Sequence, residues 1–262
     1  MMGTYTRLVV DVTDGVATVS FRSDKDTNPF SRVMTLELTA LCKALTRTTA
    51  TRPTDEPIGA LVLTGGVGRS FSVGGDFNDV SALSEEQQIR AYLGEIIDLY
   101  IAILEVDVPV ISAIDGFAIG QGLQVALMTD VRIGTTACKL QMPELENGVA
   151  CPLGSLILEL MLGRARMIEL VMGCELLNAQ ASRALSLLND VVPVDALHAA
   201  AHARATKLAG YPATSFVSTK RIHNARFVAA LESVREASSR AHVESFLRKT
   251  GKAHFDKILG RP

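Results

Sequence analysis

Two glycine-rich turns contain backbone N–H groups that could stabilise a developing negative charge. The first turn, FSVGGDFNDV, spans Phe71–Val80, and the second, DGFAIGQGLQVALMTD, spans Asp115–Asp130. Adjacent glycines let the main chain approach a ligand closely, and an N–H at the start of a helix carries a partial positive charge. One N–H from each turn could therefore form an oxyanion hole, worth about 3–4 kcal/mol per donor. Either turn alone is more typical of simple tight-turn geometry.

Buried strands are expected to position both turns. Gly59–Thr64 (GALVLT), before the first turn, is a short continuous apolar run, as in a strand buried on both faces. Pro109–Ile114 occupies the same position before the second turn. Ligands in α/β sheets bind beyond the ends of such strands, so the two turns are predicted to face one site.

The remaining pattern predicts an α/β fold. Leu8–Val12 and Val16–Phe21 alternate apolar and polar residues around Asp14-Gly15, which indicates a hairpin. Other predicted segments are a loop over Arg22–Ser31, a helix with apolar positions from Val33 to Leu45, a polar connection over Thr48–Pro57, a helix over Glu85–Glu105, short strands over Val131–Gly134 and Lys139–Gln141, and helices over Leu153–Leu162, Ala165–Met172, Asp195–Ala209 and the residues after Pro212. Strands alternating with helices, followed by a helical tail, favour α/β.

Composition limits the class of protein. The 262 residues are 48% hydrophobic, enough for one large domain, and the formal net charge is −2. Without a concentrated basic face, a nucleic-acid partner is not expected. The cysteines are far apart and lack metal-ligand spacing, so neither a metal site nor a disulfide framework is predicted and reduced, buried thiols are expected. They are Cys42, Cys138, Cys151 and Cys174.

The sequence predicts a cytoplasmic protein that does not enter a membrane. The first ten residues, MMGTYTRLVV, lack the charged region and apolar stretch of a signal peptide. The longest charge-free apolar stretch, Gly116–Thr129, is too short to span a bilayer and is interpreted as buried core.

Five segments together resemble the crotonase (enoyl-CoA hydratase/isomerase) superfamily. They are ALVLTGGVGRSFSVGGDF, PVISAIDGFAIGQG, MPELENGV, SLLNDVVP and STKRIHN. The resemblance covers residues 6–260 and implies a crotonase-type spiral of ββα units over residues 1–200. It also implies that residues 201–262 form a C-terminal helical region that drives trimer formation, with a hexamer of two trimers as the alternative.

The resemblance also implies an acyl-coenzyme A thioester as substrate, with no separate cofactor. The thioester oxygen would lie between the N–H groups of Gly75 and Gln121. Arg22 and Lys25, in the loop after the second strand, would bind the ADP end of the coenzyme, and Val73 would line the substrate pocket.

The catalytic carboxylates depart from the hydratase pattern. Hydratases of this superfamily use two glutamates; here Glu144 matches the second, in Met142-Pro143-Glu144-Leu145, and Gln124 replaces the first. Gln cannot exchange a proton at neutral pH, so it can orient a ligand but cannot act as a base. Considered without the motif, Glu144 would be a solvated or helix-starting carboxylate and Gln124 a backbone-paired helix residue. Glu146 is interpreted as exposed.

Further segments are similar to a narrower group, the carboxymethylproline synthases of carbapenem biosynthesis. They are GGDFNDV, IIDLYIAIL, GFAIGQGLQVALMTD, MPELENGVACPLGS, GYPATSF, REASSRAHVESF and GKAHFDKILG. This group also has Gln at the position of Gln124. The implied reaction decarboxylates malonyl-CoA, adds the resulting enolate to L-pyrroline-5-carboxylate, a small cyclic imino acid, and hydrolyses the thioester with Glu144 as base.

The same resemblance implies two more substrate-binding residues. His242 matches a histidine near the amino-acid substrate, in its own site or a neighbouring subunit's; otherwise it would be an ordinary surface histidine. Tyr92 stands where a tryptophan is expected to form the pocket wall, and Gln121 where relatives have Met, so an alkylated malonyl-CoA or a homologous imine stays open as substrate. Two alternative functions are an enoyl-CoA isomerase with Glu144 as sole base and a non-catalytic acyl-CoA-binding protein.

Overall fold

The computed structural model describes residues 5–46, 58–248, 255, 259 and 260. The polar connection predicted over Thr48–Pro57 lies outside these residues. The strands are β1 (Leu8–Thr13), β2 (Val16–Phe21), β3 (Ala60–Thr64), β4 (Val110–Ile114), β5 (Phe117–Ile119), β6 (Val131–Thr135), β7 (Lys139–Gln141), β8 (Leu177–Asn178) and β9 (Asp190–Val192). The helices are α1 (Arg32–Thr46), α2 (Phe77–Ser81), α3 (Glu86–Leu104), α4 (Gln121–Leu127), α5 (Pro152–Leu162), α6 (Arg164–Gly173), α7 (Ala179–Ala184), α8 (Leu197–Ala209) and α9 (Ala213–Leu247).

The strands form two sheets whose order matches the predicted α/β class. The larger has the order β1-β2-β3-β4-β6-β9 and the smaller β5-β7-β8. The predicted hairpin is confirmed: β1 pairs antiparallel with β2, and Asp14 and Gly15 both have positive φ, as a two-residue turn requires. The remaining neighbours in the larger sheet are parallel, and β3 and β4 are buried throughout, as their apolar runs predicted.

Several short elements were not predicted from the sequence. The second glycine turn was predicted as a turn entering a helix, but it contains β5, which pairs with β7. The helix α2, over Phe77–Ser81, lies in the part assigned to the first turn, and its Asp76 cap accepts from the Asn78 N–H. Segments of two to seven residues are too short to give a periodic signal.

The two turns pack directly against each other. Ser72 in the first turn bridges to Ala118 in the second, and the Ile119 N–H donates to the Ser72 carbonyl at 2.9 Å. A Cβ on Gly122 would lie only 2.6 Å from that carbonyl oxygen, which requires glycine at this position. The close approach aligns the start of α4 beside Gly74 and Gly75.

Helices cover both faces of the larger sheet. On one face, α8 packs its Leu197, Ala201 and Ala205 against strand residues that include Ile111 and Ile133. The boundary predicted at residue 200 falls inside α8 and stays a prediction. On the other face, α1 and α3 enclose the main core, and α9 packs along α3.

Two ion pairs fix the beginning of α9 to the sheet. The Lys220 ammonium donates to Asp130 Oδ2 at 2.6 Å and to the Val108 carbonyl at 3.0 Å. The Arg221 guanidinium makes two 2.9 Å hydrogen bonds to the carboxylate of Asp107. This anchorage sets the direction in which the 35-residue helix crosses the molecule.

The predictions about cysteines and membrane helices can be compared with the described residues. All four cysteines are buried and free, as expected. Over the described ranges, no helix is both long and apolar enough to cross a membrane.

Candidate active site

One cavity lies where the two glycine turns, α3, the start of α5 and the far end of α9 meet. Seven of the predicted site residues line it. They are Val73, Gly75, Tyr92, Gln121, Gln124, Glu144 and His242. Its remaining walls are largely apolar, with side chains such as Leu93, Ile96 and Phe246. Residues up to 169 positions apart in the chain therefore converge as the sequence predicted.

The Gly75 and Gln121 N–H groups are available to a ligand. Gln121 is the first residue of α4, and neither its N–H nor that of Gly75 donates a hydrogen bond to any described residue. The Gly74 N–H, in contrast, is held by Ser72 Oγ at 3.1 Å. A Cβ on Gly74 would lie 3.5 Å from the Gln121 nitrogen, so the two turns bring these main-chain segments together.

Glu144 is a half-buried residue that presents an incompletely paired carboxylate to this cavity. Oε1 accepts from Gln124 Nε2 at 2.7 Å, whereas Oε2 is buried and accepts no hydrogen bond from the described residues. Burial raises the pKa of Glu144 from 4.5 to about 7, and contacts with its own backbone, Cys151 and Gln124 only partly oppose this. Both protonation states are accessible near neutral pH, as a general base requires.

Gly120 makes the approach of Glu144 possible. A Cβ there would lie 3.2 Å from Glu144 Oε1, and φ is +53°. Glu146, two residues further on, is exposed as predicted. The carboxylate that reaches the cavity is therefore Glu144.

Gln124 is held between Glu144 and a residue that the sequence reading missed. The Tyr100 hydroxyl donates to Gln124 Oε1 at 2.9 Å, and this fixes which end of the amide points to Glu144. Tyr92, Ile96 and Tyr100 lie four residues apart on α3 and all line the cavity. That spacing was the available signal for Tyr100, which would have been found once Tyr92 was assigned to the wall.

Cys151 is a second residue that the sequence reading assigned only to the core. It precedes α5, lines the cavity and lies close enough to Glu144 to favour its charged form. Burial, followed by the nearby Glu144 carboxylate, raises the pKa of the thiol, so the group is a neutral S–H at pH 7. A Cβ on Gly154 would lie 2.6 Å from Cys151 Sγ, so glycine is needed here for the thiol to fit.

His242 lines the cavity of its own chain. It is buried, its Nδ1 lies 2.8 Å from the Ser238 carbonyl, and its ring packs edge-on against Phe246. A carbonyl can only accept, so Nδ1 carries the proton and Nε2 is an acceptor in the neutral ring. Burial lowers the pKa of His242, which favours that neutral form.

Two polar side chains lie beside Gly75. A Cβ on Gly75 would be 3.1 Å from the Tyr92 hydroxyl and 3.3 Å from Gln121 Oε1. The other end of the Gln121 amide donates to Thr35 Oγ1 at 3.4 Å. Both side chains are thus close enough to contact an acyl group held by the Gly75 N–H.

Arg22 and Lys25 do not line the cavity. Both side chains are exposed in the segment after β2. Their predicted role toward the coenzyme stays a prediction. Among the described residues, no Lys, Arg or Asp side chain lines the cavity, and Glu144 is its one carboxylate.

Comparison with known proteins identifies the family. A family model described as enoyl-CoA hydratase/isomerase matches residues 11–256. The chain belongs to the enoyl-CoA hydratase/isomerase family. Its membership in this crotonase superfamily of enzymes confirms the resemblance and the fold predicted from the sequence.

Individual proteins of the enoyl-CoA hydratase/isomerase family show which members this chain resembles in sequence. The chain is 40% identical to the carboxymethylproline synthase of Pectobacterium carotovorum subsp. carotovorum over 248 residues, which are 95% of this chain and 96% of that protein. It also matches the solved structure of ThnE from S. clavuligerus at 33% identity and a TM-score of 0.75, covering 89% of this chain and all of that one.

A structure of an enoyl-CoA hydratase/isomerase from Mycobacterium paratuberculosis matches with a TM-score of 0.85 at 24% identity, covering 96% of this chain and 98% of that one. This likeness concerns the fold. The likeness to the 40% identical carboxymethylproline synthase extends to the sequence of nearly the whole chain.

Proposed function

We propose that this enzyme decarboxylates malonyl-CoA, adds the resulting enolate to L-pyrroline-5-carboxylate and hydrolyses the thioester product to free carboxymethylproline. One observation carries the proposal. Two unengaged main-chain N–H groups, at Gly75 and Gln121, open into a cavity whose one carboxylate among the described residues, Glu144, is paired with an amide instead of a second acid.

The first step forms an enolate. The malonyl C–C bond breaks, CO₂ leaves, and the bonding electron pair delocalises onto the thioester oxygen. The N–H groups of Gly75 and Gln121 stabilise that oxygen. Holding the malonyl carboxylate perpendicular to the thioester plane aligns the breaking bond with the carbonyl π system.

The charges around the cavity suit this step. With no Lys or Arg among the described lining residues, nothing there neutralises the malonyl carboxylate, whose negative charge passes to the enolate oxygen as CO₂ departs. Gln124 at the position of the hydratases' first glutamate avoids a second anion that would repel this substrate.

The second step forms the new C–C bond. The enolate carbon attacks the imine carbon of L-pyrroline-5-carboxylate, the π pair of the C=N bond moves to nitrogen, and that nitrogen takes up a proton from solvent water. Tyr92, Val73 and Gln121 form the adjoining wall. His242, neutral with Nε2 as a hydrogen-bond acceptor, can accept from the N–H that the ring nitrogen gains in this step.

The third step is hydrolysis of the carboxymethylprolyl thioester. Glu144 takes a proton from water, the hydroxide attacks the thioester carbon, and the same N–H pair holds the tetrahedral oxyanion. The C–S bond then breaks, and the coenzyme A thiolate leaves and is protonated. With its pKa near 7, Glu144 is a stronger base than an ordinary carboxylate while still partly ionised at neutral pH.

Substrate delivery and assembly follow the family pattern in this proposal. The coenzyme extends from the cavity, with Arg22 and Lys25 at its ADP end, and the chain assembles as a homotrimer or as a pair of trimers in the cytoplasm. Arg22→Ala with Lys25→Ala would then raise the KM for malonyl-CoA and leave kcat unchanged.

Mass spectrometry of wild-type protein incubated with malonyl-CoA, with and without L-pyrroline-5-carboxylate, tests the proposal. An ion at the mass of carboxymethylproline that requires both substrates supports it. Intact malonyl-CoA in both incubations contradicts it.

The pairing of Glu144 with the Gln124 amide, and not with a second acid, favours one alternative function, that of a 3-enoyl-CoA isomerase. A single base with a pKa near 7 can move one proton between C2 and C4 of an enolate held by the N–H pair. Absorbance of a conjugated 2-enoyl-CoA formed from a 3-enoyl-CoA would support this reaction, and an unreactive 3-enoyl-CoA would exclude it. A non-catalytic acyl-CoA-binding protein would bind either thioester and change neither.

A further inference from the structure

We propose that Tyr100 is a positioning residue, which holds the amide of Gln124 in the one orientation that presents its N–H to Glu144. The inference rests on the proposed function, in which Glu144 is the base for hydrolysis. It adds a residue on α3 that would not contact the reacting atoms itself but would act through Gln124.

Three side chains form a directional chain of hydrogen bonds. Tyr100 Oη donates to Gln124 Oε1 at 2.9 Å, and Gln124 Nε2 donates to Glu144 Oε1 at 2.7 Å. An ionised carboxylate can only accept, and the two ends of an amide differ, because one accepts and the other donates. The hydroxyl at the oxygen end therefore determines what the nitrogen end can do.

Tyr100 is suited to act as a permanent donor. It is fully buried, and burial followed by the Glu144 charge raises the pKa of its hydroxyl, so the hydroxyl is protonated at neutral pH. Gln124 is buried as well. Without the hydroxyl, the buried Gln124 Oε1 would lack a donor, and a reversed amide would regain one only when Glu144 is protonated, because the Glu144 O–H could then donate to that oxygen.

The surroundings restrict the amide further. A Cβ on Gly154 would lie 3.3 Å from Gln124 Nε2, so the helix α5 closes one side of the amide. Gln124 Nε2 also lies 3.5 Å from Met142 Sδ, a weak acceptor. The amide therefore has two strong partners, the tyrosine and the glutamate, and losing the first leaves only the second to orient it.

A reversed amide would place its oxygen against the Glu144 carboxylate. Two acceptors in contact repel each other, and the glutamate would then hold its proton to a higher pH. The other titratable groups facing Glu144 come from three elements: Tyr92 on α3, Cys151 before α5, and His242 on α9. Each is neutral near pH 7, because burial raises the pKa of the tyrosine and cysteine and lowers that of the histidine.

The test is the titration of Glu144 in Tyr100→Phe, followed by ¹³C NMR of side-chain carboxyl carbons and assigned by the signal that disappears in Glu144→Gln. We expect the midpoint to move upward by about one pH unit relative to wild type, the size of effect that one hydrogen bond of about 1.4 kcal/mol gives. The rising limb of the pH profile for release of carboxymethylproline should move by the same amount, whereas its high-pH plateau should stay within about twofold.

Tyr211→Phe is the matched control, because it removes a phenol that is half exposed and does not line the cavity. It should leave the midpoint unchanged. A second variant keeps the test decisive: in a Gln124→Leu background, adding Tyr100→Phe should produce no further shift.

An unchanged Glu144 midpoint in Tyr100→Phe would overturn the inference, as would an equal shift in the presence and absence of the Gln124 amide. The NMR titration needs no substrate. If wild-type protein leaves malonyl-CoA intact, the proposed function fails while the titration still decides the role of Tyr100.

Discussion

Two inward-facing carboxylates of this molecule, those of Asp130 and Glu144, have different kinds of partners. Asp130 lies between α4 and β6. It accepts hydrogen bonds from the Val110 N–H at 2.8 Å and from the Lys220 ammonium at 2.6 Å. Glu144 has only neutral neighbours, the Gln124 amide and the Cys151 thiol, and its Oε2 accepts no hydrogen bond from the described residues. The first carboxylate is neutralised by a cation, and the second is not.

The difference separates a structural role from a chemical one. A carboxylate paired with a cation and a main-chain donor links elements that are distant in sequence, here β4 and α9. A buried carboxylate without a cation has a raised pKa, which makes it useful for proton transfer and costly for stability. The protein tolerates this cost at the position where the proposed hydrolysis occurs.

The helix α9 joins the two regions. Lys220 near its start pairs with Asp130, and His242, 22 residues later, lines the cavity that contains Glu144. Along its length it is also bound to α3, where Arg235 contacts Asp98 at 2.8 Å. Removing the Lys220–Asp130 pair should therefore also disturb the end of α9 that lines the cavity, whereas neutralising Glu144 should leave that pair intact.

The largest effect is expected for Lys220→Met, which removes the cation from the structural carboxylate. Asp130 would keep only the Val110 N–H, and breaking a buried pair on one side costs about 3–5 kcal/mol. Thermal unfolding at matched protein concentration should show a Tm lower by about 10 °C. A Tm within 2 °C of wild type would show that the pair does not anchor α9.

A smaller effect, an increase in stability, is expected for Glu144→Gln. Because the folded-state pKa is raised from 4.5 to about 7, the folded protein binds this proton more tightly than the unfolded chain. Stability is therefore lost as pH rises through that window, and the cost is complete above pH 7. The glutamine cannot ionise, so the variant should be more stable than wild type by about 3 kcal/mol at pH 8, since each pKa unit is worth about 1.4 kcal/mol.

The stability difference between Glu144→Gln and wild type should disappear in acid. At pH 4, below the unfolded pKa, Glu144 is protonated in both states and the two proteins should unfold at nearly the same temperature. A stability difference that is the same at pH 4 and pH 8 would show that the pKa of Glu144 is not raised in the folded protein.

The smallest effect is expected for Arg221→Met. Asp107 is the fully buried partner, but the Arg221 side chain is 57% exposed, so water can replace part of its interaction. A loss of about 1 kcal/mol in urea unfolding is expected. A loss equal to that of Lys220→Met would mean that burial of the cation does not set the size of these effects.

The sequence was most informative where the chemistry is local. Each glycine turn follows an apolar strand within a few residues, so the turns and their strands could be predicted from short segments. Gly75, Gln121, Glu144 and Gln124 were assigned from the resemblance to the family, which is also carried by short segments. The short elements β5, α2 and β8 were missed because their periodic signal is too brief.

Contacts between distant segments could not be predicted in this way. Tyr100 lies within the helix predicted over Glu85–Glu105, but nothing within that helix reveals that Gln124, 24 residues later, meets its hydroxyl. Lys220 and Asp130 are 90 residues apart, and their pairing depends on how α9 crosses the sheet. The pattern of apolar and polar residues determines which face of a helix or strand is buried, but it does not specify the partner of each buried polar group.

The central claim is that Glu144 is the base for hydrolysis and is not needed for C–C bond formation. It is tested most directly by mass spectrometry of Glu144→Gln incubated with malonyl-CoA and L-pyrroline-5-carboxylate. We predict that the carboxymethylprolyl thioester of coenzyme A accumulates while free carboxymethylproline falls by at least about 100-fold. Release of free carboxymethylproline at the wild-type rate would contradict the claim.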